Sequence, residues 1–408
     1  MDIPKFKNII DKAGFLRNYS SLILPVGILL AGLILFIPTS LMSSGLRKRM
    51  TSESATIGRD VRSLSSSVVS RDQWKVEQDY QRAYKEDANE IATLVQQSSQ
   101  RELLSYKIFP EPKDTSTLIF EEFGQRFRSN IDDLMAHVNA IDCPTAAELQ
   151  RGMKNVSNLS DARRITGLTL SRLSEQDAII VDVLCREKAE TAFVYANPMD
   201  VSGYGLWEEY NYAGMDTAVE DCWYWQLAYW IIEDVFKTIE ASNSGSNNVF
   251  TSPVKRLMRI GFSAPDQPIG KNPPKPRYVL TVKETLTIPY TGRFCDDNID
   301  VVHFNVVVLV SAKAVMPFMK QLCSAKEHEF KGFSGTEELR RFKHNQITIL
   351  KSEIKPINRQ AQNHEYYRYG EDAVVELNLI CEYIFNKNGY DEIKPKSVRK
   401  TLGEEVGE

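Results

Sequence analysis

Apolar and polar positions along this 408-residue chain fall into blocks of different period, and the first block is the strongest. From Ser21 to Met42 no residue is charged, and thirteen are strongly apolar: Leu22, Ile23, Leu24, Val26, Ile28, Leu29, Leu30, Leu33, Ile34, Leu35, Phe36, Ile37 and Leu41. As a helix the run is about 33 Å long, against a hydrocarbon core of about 30 Å. Its side chains favour insertion by on the order of 4–8 kcal/mol, more than Pro25, Pro38 and the glycines oppose. The pattern predicts a transmembrane helix over 21–42, with Leu22, Ile28, Leu33 and Phe36 in the anchor. A cleaved signal peptide is the competing reading; the length of the run and the Leu46-Arg47-Lys48-Arg49 that follows it argue against that. Lys5, Lys7, Lys12 and Arg17 lie before the run and Arg47, Lys48 and Arg49 after it, which tilts the 1–20 tail only slightly towards the cytoplasm. The common bitopic arrangement then leaves the bulk of the chain exported, on the periplasmic side of an inner membrane.

Beyond the anchor the period becomes that of a heptad. Leu46 and Met50, then Ile57, Val61, Leu64 and Val68, then Tyr84, Ala88, Ile91 and Val95 follow 4-3-4 spacing among charged neighbours. This predicts a coiled-coil stalk over 43–107, with the oligomerisation seam at Ile57, Val61, Leu64, Val68, Ala88, Ile91 and Val95. The register breaks over Asp72–Tyr80, and a helix packed on its own domain would show the same spacing. Pro110 and Pro112 end the helix. Ser116 is expected to start another, running to about His137 with Ile119, Phe120, Phe123, Phe127, Ile131 and Leu134 on one stripe. Helices near Thr145–Met153 and Glu175–Phe193 follow. From Asp216 to Ile239 two apolar faces, one with Trp225 and Phe236 and one with Trp223 and Trp230, predict a helix buried on two sides rather than a carbohydrate platform. A strand is expected from Ser252 to Phe262.

Five prolines in Ala264–Arg277 read as a linker and domain boundary. After it, strands are expected at Tyr278–Ile288, Val302–Val310, Gln346–Ile357 and Asp372–Phe385, with a helix at Ala312–Ala325. Alternation in the last strand turns Leu377, Leu379 and Cys381 inward and leaves Glu376 and Glu382 facing solvent. The fold class is therefore α+β: an N-terminal transmembrane helix, a coiled-coil stalk, a helix-rich domain over 108–263, a linker over 264–277, a ferredoxin-like module over 278–403 and an acidic tail over 404–408.

Composition narrows function by exclusion. A net charge of −4, with 42% hydrophobic residues, suits an ordinary folded protein and offers no basic surface for nucleic acid. The six cysteines (143, 185, 222, 295, 323 and 381) form no CxxC pair, and His137, His303, His328, His344 and His364 are too scattered to suggest a metal or an acid–base pair. No GxSxG, phosphate loop or GxGxxG is present, so no enzyme activity and no cofactor is expected.

Several stretches carry a family likeness. They are Arg101-Glu102-Leu103-Leu104-Ser105-Tyr106 with Ile108-Phe109-Pro110, Trp223-Tyr224-Trp225-Gln226 with Tyr229-Trp230 and Glu233-Asp234, Ser252-Pro253-Val254-Lys255-Arg256, Tyr366-Tyr367-Arg368-Tyr369-Gly370-Glu371-Asp372, and Lys394-Pro395 with Val398-Arg399. In this order, behind a short tail, an anchor and a stalk, they resemble the PilO-like inner-membrane alignment proteins of type IV pili and the GspM-like proteins of type II secretion, specifically the planctomycete and verrucomicrobial pilus-cluster type. The resemblance implies a non-enzymatic scaffold that dimerises through coiled coil and ferredoxin-like module with PilN- or PilO-like partners, and meets pilus-platform or secretin components. The tail lacks the Asn-Leu-Leu-Pro-type motif of PilN-like proteins, which favours the PilO-like role. The alternative is a membrane-tethered ligand-binding or sensor ectodomain that signals through a separate partner.

Overall fold

The computed structural model describes residues 20–66, 71–114, 116–156, 175–265, 267 and 273–404. The chain divides into two units after Asp87. The first holds α1 (Ser20–Ser66) and most of α2 (Arg71–Ser98). Among the described residues α1 is the one helix long and apolar enough, by length and composition, to cross a membrane. It runs through both Pro25 and Pro38. Asp72–Tyr80, where the heptad loses register, lies inside the continuous α2.

The second unit continues with α3 (Leu118–His137), α4 (Ala146–Val156), α5 (Glu175–Thr191) and α6 (Met215–Asn243). Then come β1 (Val254–Gly261), β2 (Ile299–Ser311), α7 (Val315–Leu322), β3 (Lys326–Phe330), β4 (Arg340–His344), β5 (Ile347–Pro356), β6 (Val374–Asn386) and a last helix, α8 (Lys396–Leu402). Four strands form one antiparallel sheet in the order β1-β2-β6-β5, and β3 and β4 form a separate hairpin.

The central pair explains the sheet. β2 is a near-continuous run of Val, Ile, Leu and Phe, and such runs are buried on both faces. It pairs with β6 along its whole length, Ile299 opposite Asn386 and Ser311 opposite Val374. Phe304, Val306, Val308, Leu377, Leu379 and Cys381 turn to the face that shares its core with α6 and α7. The expectation for α6 holds: Trp223, Trp225 and Trp230 are all buried. At its end Asn243 accepts from the Val254 amide (2.8 Å) and donates to the Val254 carbonyl (3.0 Å), fixing the helix to β1.

Three expectations are corrected. Tyr278–Ile288 is not a strand of the sheet; it makes one bridge, Tyr278 to Val302, and its edge position is taken by β1 instead. The Pro-rich stretch therefore joins two hydrogen-bonded strands of one sheet rather than two domains, because β1 before it pairs with β2 after it. Glu382 does not face solvent. Residues 286–293 cover it, and it accepts from the Arg293 amide (2.9 Å) and pairs with the Arg293 guanidinium. His303 lies buried on the same face, accepting from the Leu286 amide at 3.2 Å.

Candidate functional site

Ile57, Val61 and Leu64 occupy α1, and Ala88, Ile91 and Val95 occupy α2; Val68 lies outside the described residues. All six placed residues are exposed, Leu64 at 67% and Ile91 at 60%. Of the anchor residues, Ile28, Leu33 and Phe36 are exposed on α1, which also contains Leu22.

The chain leaving α2 enters a socket inside the second unit. Residues 99–104 are held almost entirely by side chains of other elements. The Ser99 hydroxyl accepts from the Gln346 side chain (2.9 Å) and the Asn386 amide (2.8 Å). Gln226 accepts from the Leu104 amide (2.7 Å), and the Trp230 indole donates to the Glu102 carbonyl (2.8 Å). Gly389 closes the fit: a Cβ there would sit 2.2 Å from the Gln96 carbonyl oxygen, so only glycine permits the approach.

At the floor of the socket lies a buried ionic network. Arg101, 1% exposed, grips Asp234 with both terminal nitrogens (3.1 Å each), reaches Glu233 at 2.6 Å and donates to the Tyr383 hydroxyl at 2.7 Å. Tyr383 in turn donates to Asp234 (2.7 Å). His344 Nε2 lies 2.7 Å from Asp234, His344 Nδ1 lies 2.9 Å from His328 Nδ1, and His328 Nε2 lies 2.8 Å from the Gln100 carbonyl. Burial opposes the charge on Asp234, yet Arg101 and His344 hold its carboxyl well below the usual range. Lys326, depressed by burial, ties off the carbonyls of Leu322 (2.8 Å) and Ser324 (3.2 Å) at the end of α7. A cavity of about 610 Å³ opens beside the network, lined by Glu102, Tyr229, Lys237, Glu327, Glu329 and Arg341 among others.

Sequence reasoning passed over this network because its members lie as far apart as Arg101 and Tyr383. The hairpin register, with Lys326 opposite His344 and His328 opposite Phe342, turns the two scattered histidines into diagonal neighbours. The one available signal was Arg101 and Glu233-Asp234 standing inside two of the family-like stretches.

The sheet has two unlike edges. β1 is bridged on its outer side by Tyr195 and Val201. β5 has no neighbour on its outer side among the described residues, and Lys351–Pro356 is exposed. Beside it, on the face away from α6, a groove of about 520 Å³ is lined by Arg259, Lys351, Glu353, Glu376, Asn378 and Ile288 among others.

No protein-family model matches the chain, and no curated protein matches it. A crystal structure of a protein from Akkermansia muciniphila aligns over 66% of this chain and 96% of its own, at 8% identity and a TM-score of 0.24, a likeness too slight to argue from.

Proposed function

We propose that the protein is a non-enzymatic, membrane-anchored scaffold subunit of a type IV pilus or type II secretion-like envelope complex, with its bulk periplasmic and its stalk paired with a like chain or a PilN/PilO-like partner. The observation that carries this is the exposed apolar seam. Ile57, Val61, Leu64 and Ile91 keep 57–67% of their surface in water in the single chain. At coiled-coil spacing, such residues are buried by a second helix.

The topology of the second unit supports the ferredoxin-like reading in a permuted form. β2 and β5 both run antiparallel to β6 and flank it, so they are parallel to one another and joined through α7. That is a split βαβ unit. β1 and β6 flank β2 in the same way, and α6 shares the core with α7 on one face of the sheet. Linking the end of β6 to the start of α6 would convert the order α-β-β-α-β-β into β-α-β-β-α-β. The β3–β4 hairpin is then an insertion, and the module begins at α6 rather than at Tyr278. Its free β5 edge is the docking strand, because an unpaired edge is a template for a partner strand.

Two experiments test the reading. The double substitution Leu64→Glu and Val95→Glu, in the full-length chain in detergent, is expected to halve the protein mass measured by light scattering while leaving the thermal unfolding of the second unit unchanged. An unaltered mass sinks the stalk. Cross-linking in native membranes is expected to recover a PilN-like protein, an actin-like platform ATPase or a secretin, and recovery of a signalling protein instead moves the assignment to the sensor class.

A further inference from the structure

The two imidazoles beneath the socket are joined in a way that fixes their proton count. His328 and His344, 5% and 4% exposed, face each other through their Nδ1 atoms at 2.9 Å. Their outer nitrogens are both engaged by acceptors. His328 Nε2 meets the Gln100 carbonyl oxygen, which has no hydrogen to give, so this nitrogen carries one. His344 Nε2 meets the Asp234 carboxylate, which Arg101 keeps ionised, so it carries one too. A neutral imidazole has a single N–H. With both rings neutral, both hydrogens are used on the outside, and two lone pairs confront each other across the 2.9 Å gap. One further proton between the Nδ1 atoms converts that repulsion into a charge-assisted hydrogen bond.

We propose that His328 and His344 share one proton, and that this singly charged pair is a pH-sensitive latch closing the path Gln100–His328–His344–Asp234 between the chain leaving α2 and helix α6.

The surroundings allow one proton and refuse two. From α6, Asp234 and Glu233 face the pair as anions and Lys237 as a cation; from the socket segment comes Arg101, from β3 Lys326, and from β6 the neutral Tyr383 hydroxyl. Burial, then Arg101 and the other ring, push His328 down to about 3, and burial lowers His344 too, against the upward pull of Asp234. The protons therefore belong to the pair rather than to either ring. The N–H···N bond that the shared proton makes raises the pair's first titration against these shifts. The latched state thus binds a proton that the opened state releases. Below a pH of about 6.5 the opened rings each take a proton where the latched pair holds one, so the latch contributes most near that pH, less as pH falls, and is lost as pH rises through the pair's own titration.

The test uses the full-length chain in detergent micelles with ¹⁵N-labelled histidine, titrated from pH about 6 to about 9.5. Hydrogen exchange of residues 99–106 is followed in parallel and corrected for the intrinsic pH dependence of exchange. At pH about 7.5 the expected spectrum has two of the five histidines sharing one extra proton. Protection over 99–106 is expected to fall about tenfold as that proton leaves, and His328→Gln, which cannot hold it, is expected to flatten the dependence. Neutral-ring shifts for both residues throughout, protection that rises with pH above about 7, an unchanged slope in His328→Gln, or spectra altered by a chelator would each overturn the latch. The wild-type spectrum decides the proton count alone should the variant not fold.

Discussion

Leu379→Asp is expected to abolish folding of the second unit, not to loosen one strand of it. Leu379 lies near the middle of β6, fully buried, between Val306 of β2 and Ser352 of β5. Its side chain belongs to the core that α6 and α7 share with the sheet. Removing the leucine side chain alone costs about 2–5 kcal/mol. A carboxylate in its place has no cationic partner, and an unpaired buried charge adds several kcal/mol more or takes up a proton at a cost. The sum is comparable to the whole stability of an ordinary domain, roughly 5–15 kcal/mol. The expected result is insoluble protein, or loss of the cooperative thermal transition. Leu379→Ala is expected to retain the fold with stability lowered by about 2–5 kcal/mol. An unaltered transition in Leu379→Asp would mean that the inward set of β6 is slipped by one residue, since a one-residue slip exchanges the faces.

That inward set was legible because β6 alternates apolar and polar residues over its length, and β2 because its run of branched side chains admits no solvent face. What hid the rest was chemistry that mimics the wrong signal. Tyr278–Ile288 alternates like a strand, yet the central strand it would join already has β1 and β6 on its two sides, so only the Tyr278 bridge forms. The Pro-rich stretch has the composition of a linker, but composition says nothing of whether the chain returns to the sheet it left. Lys326–Phe330 and Arg340–His344 are too charged to look like strands, and they pair because the hairpin buries only alternate residues, Lys326, His328 and Phe330 of β3 and Phe342 and His344 of β4, all on one face. Glu382 looked solvent-facing by parity, which was correct as to face and wrong as to burial, because a covering segment from another part of the chain supplies Arg293. The ionic network was invisible for a related reason: each member is an unremarkable residue until α6, the hairpin and β6 converge on the chain leaving α2.

The same convergence makes Asp234→Ala the second most damaging substitution expected. Asp234 is fully buried and meets the Arg101 guanidinium, the Tyr383 hydroxyl and His344 at once. Alanine removes their common acceptor and leaves Arg101 with Glu233 as its one remaining anion beside the Tyr383 hydroxyl. Breaking a buried pair from one side costs about 3–5 kcal/mol, because the charge left behind was desolvated for a partner it no longer has. For a unit of this size that corresponds to a fall of roughly 5–15 °C in Tm. The pair itself is a weaker source of net stability than this loss suggests, since removing both charges together can be neutral when apolar side chains fill the space. Arg101→Met with Asp234→Leu is therefore expected to recover at least half of the loss in Tm, whereas Arg101→Met alone, which strands Asp234 beside His344, is not. If the double variant is as unstable as Asp234→Ala, the network holds the unit together through its geometry as a whole, and the socket around residues 99–104 depends on it. If it recovers, the ions are kept for what they position: the chain over residues 99–104, held against α6, the hairpin and β6.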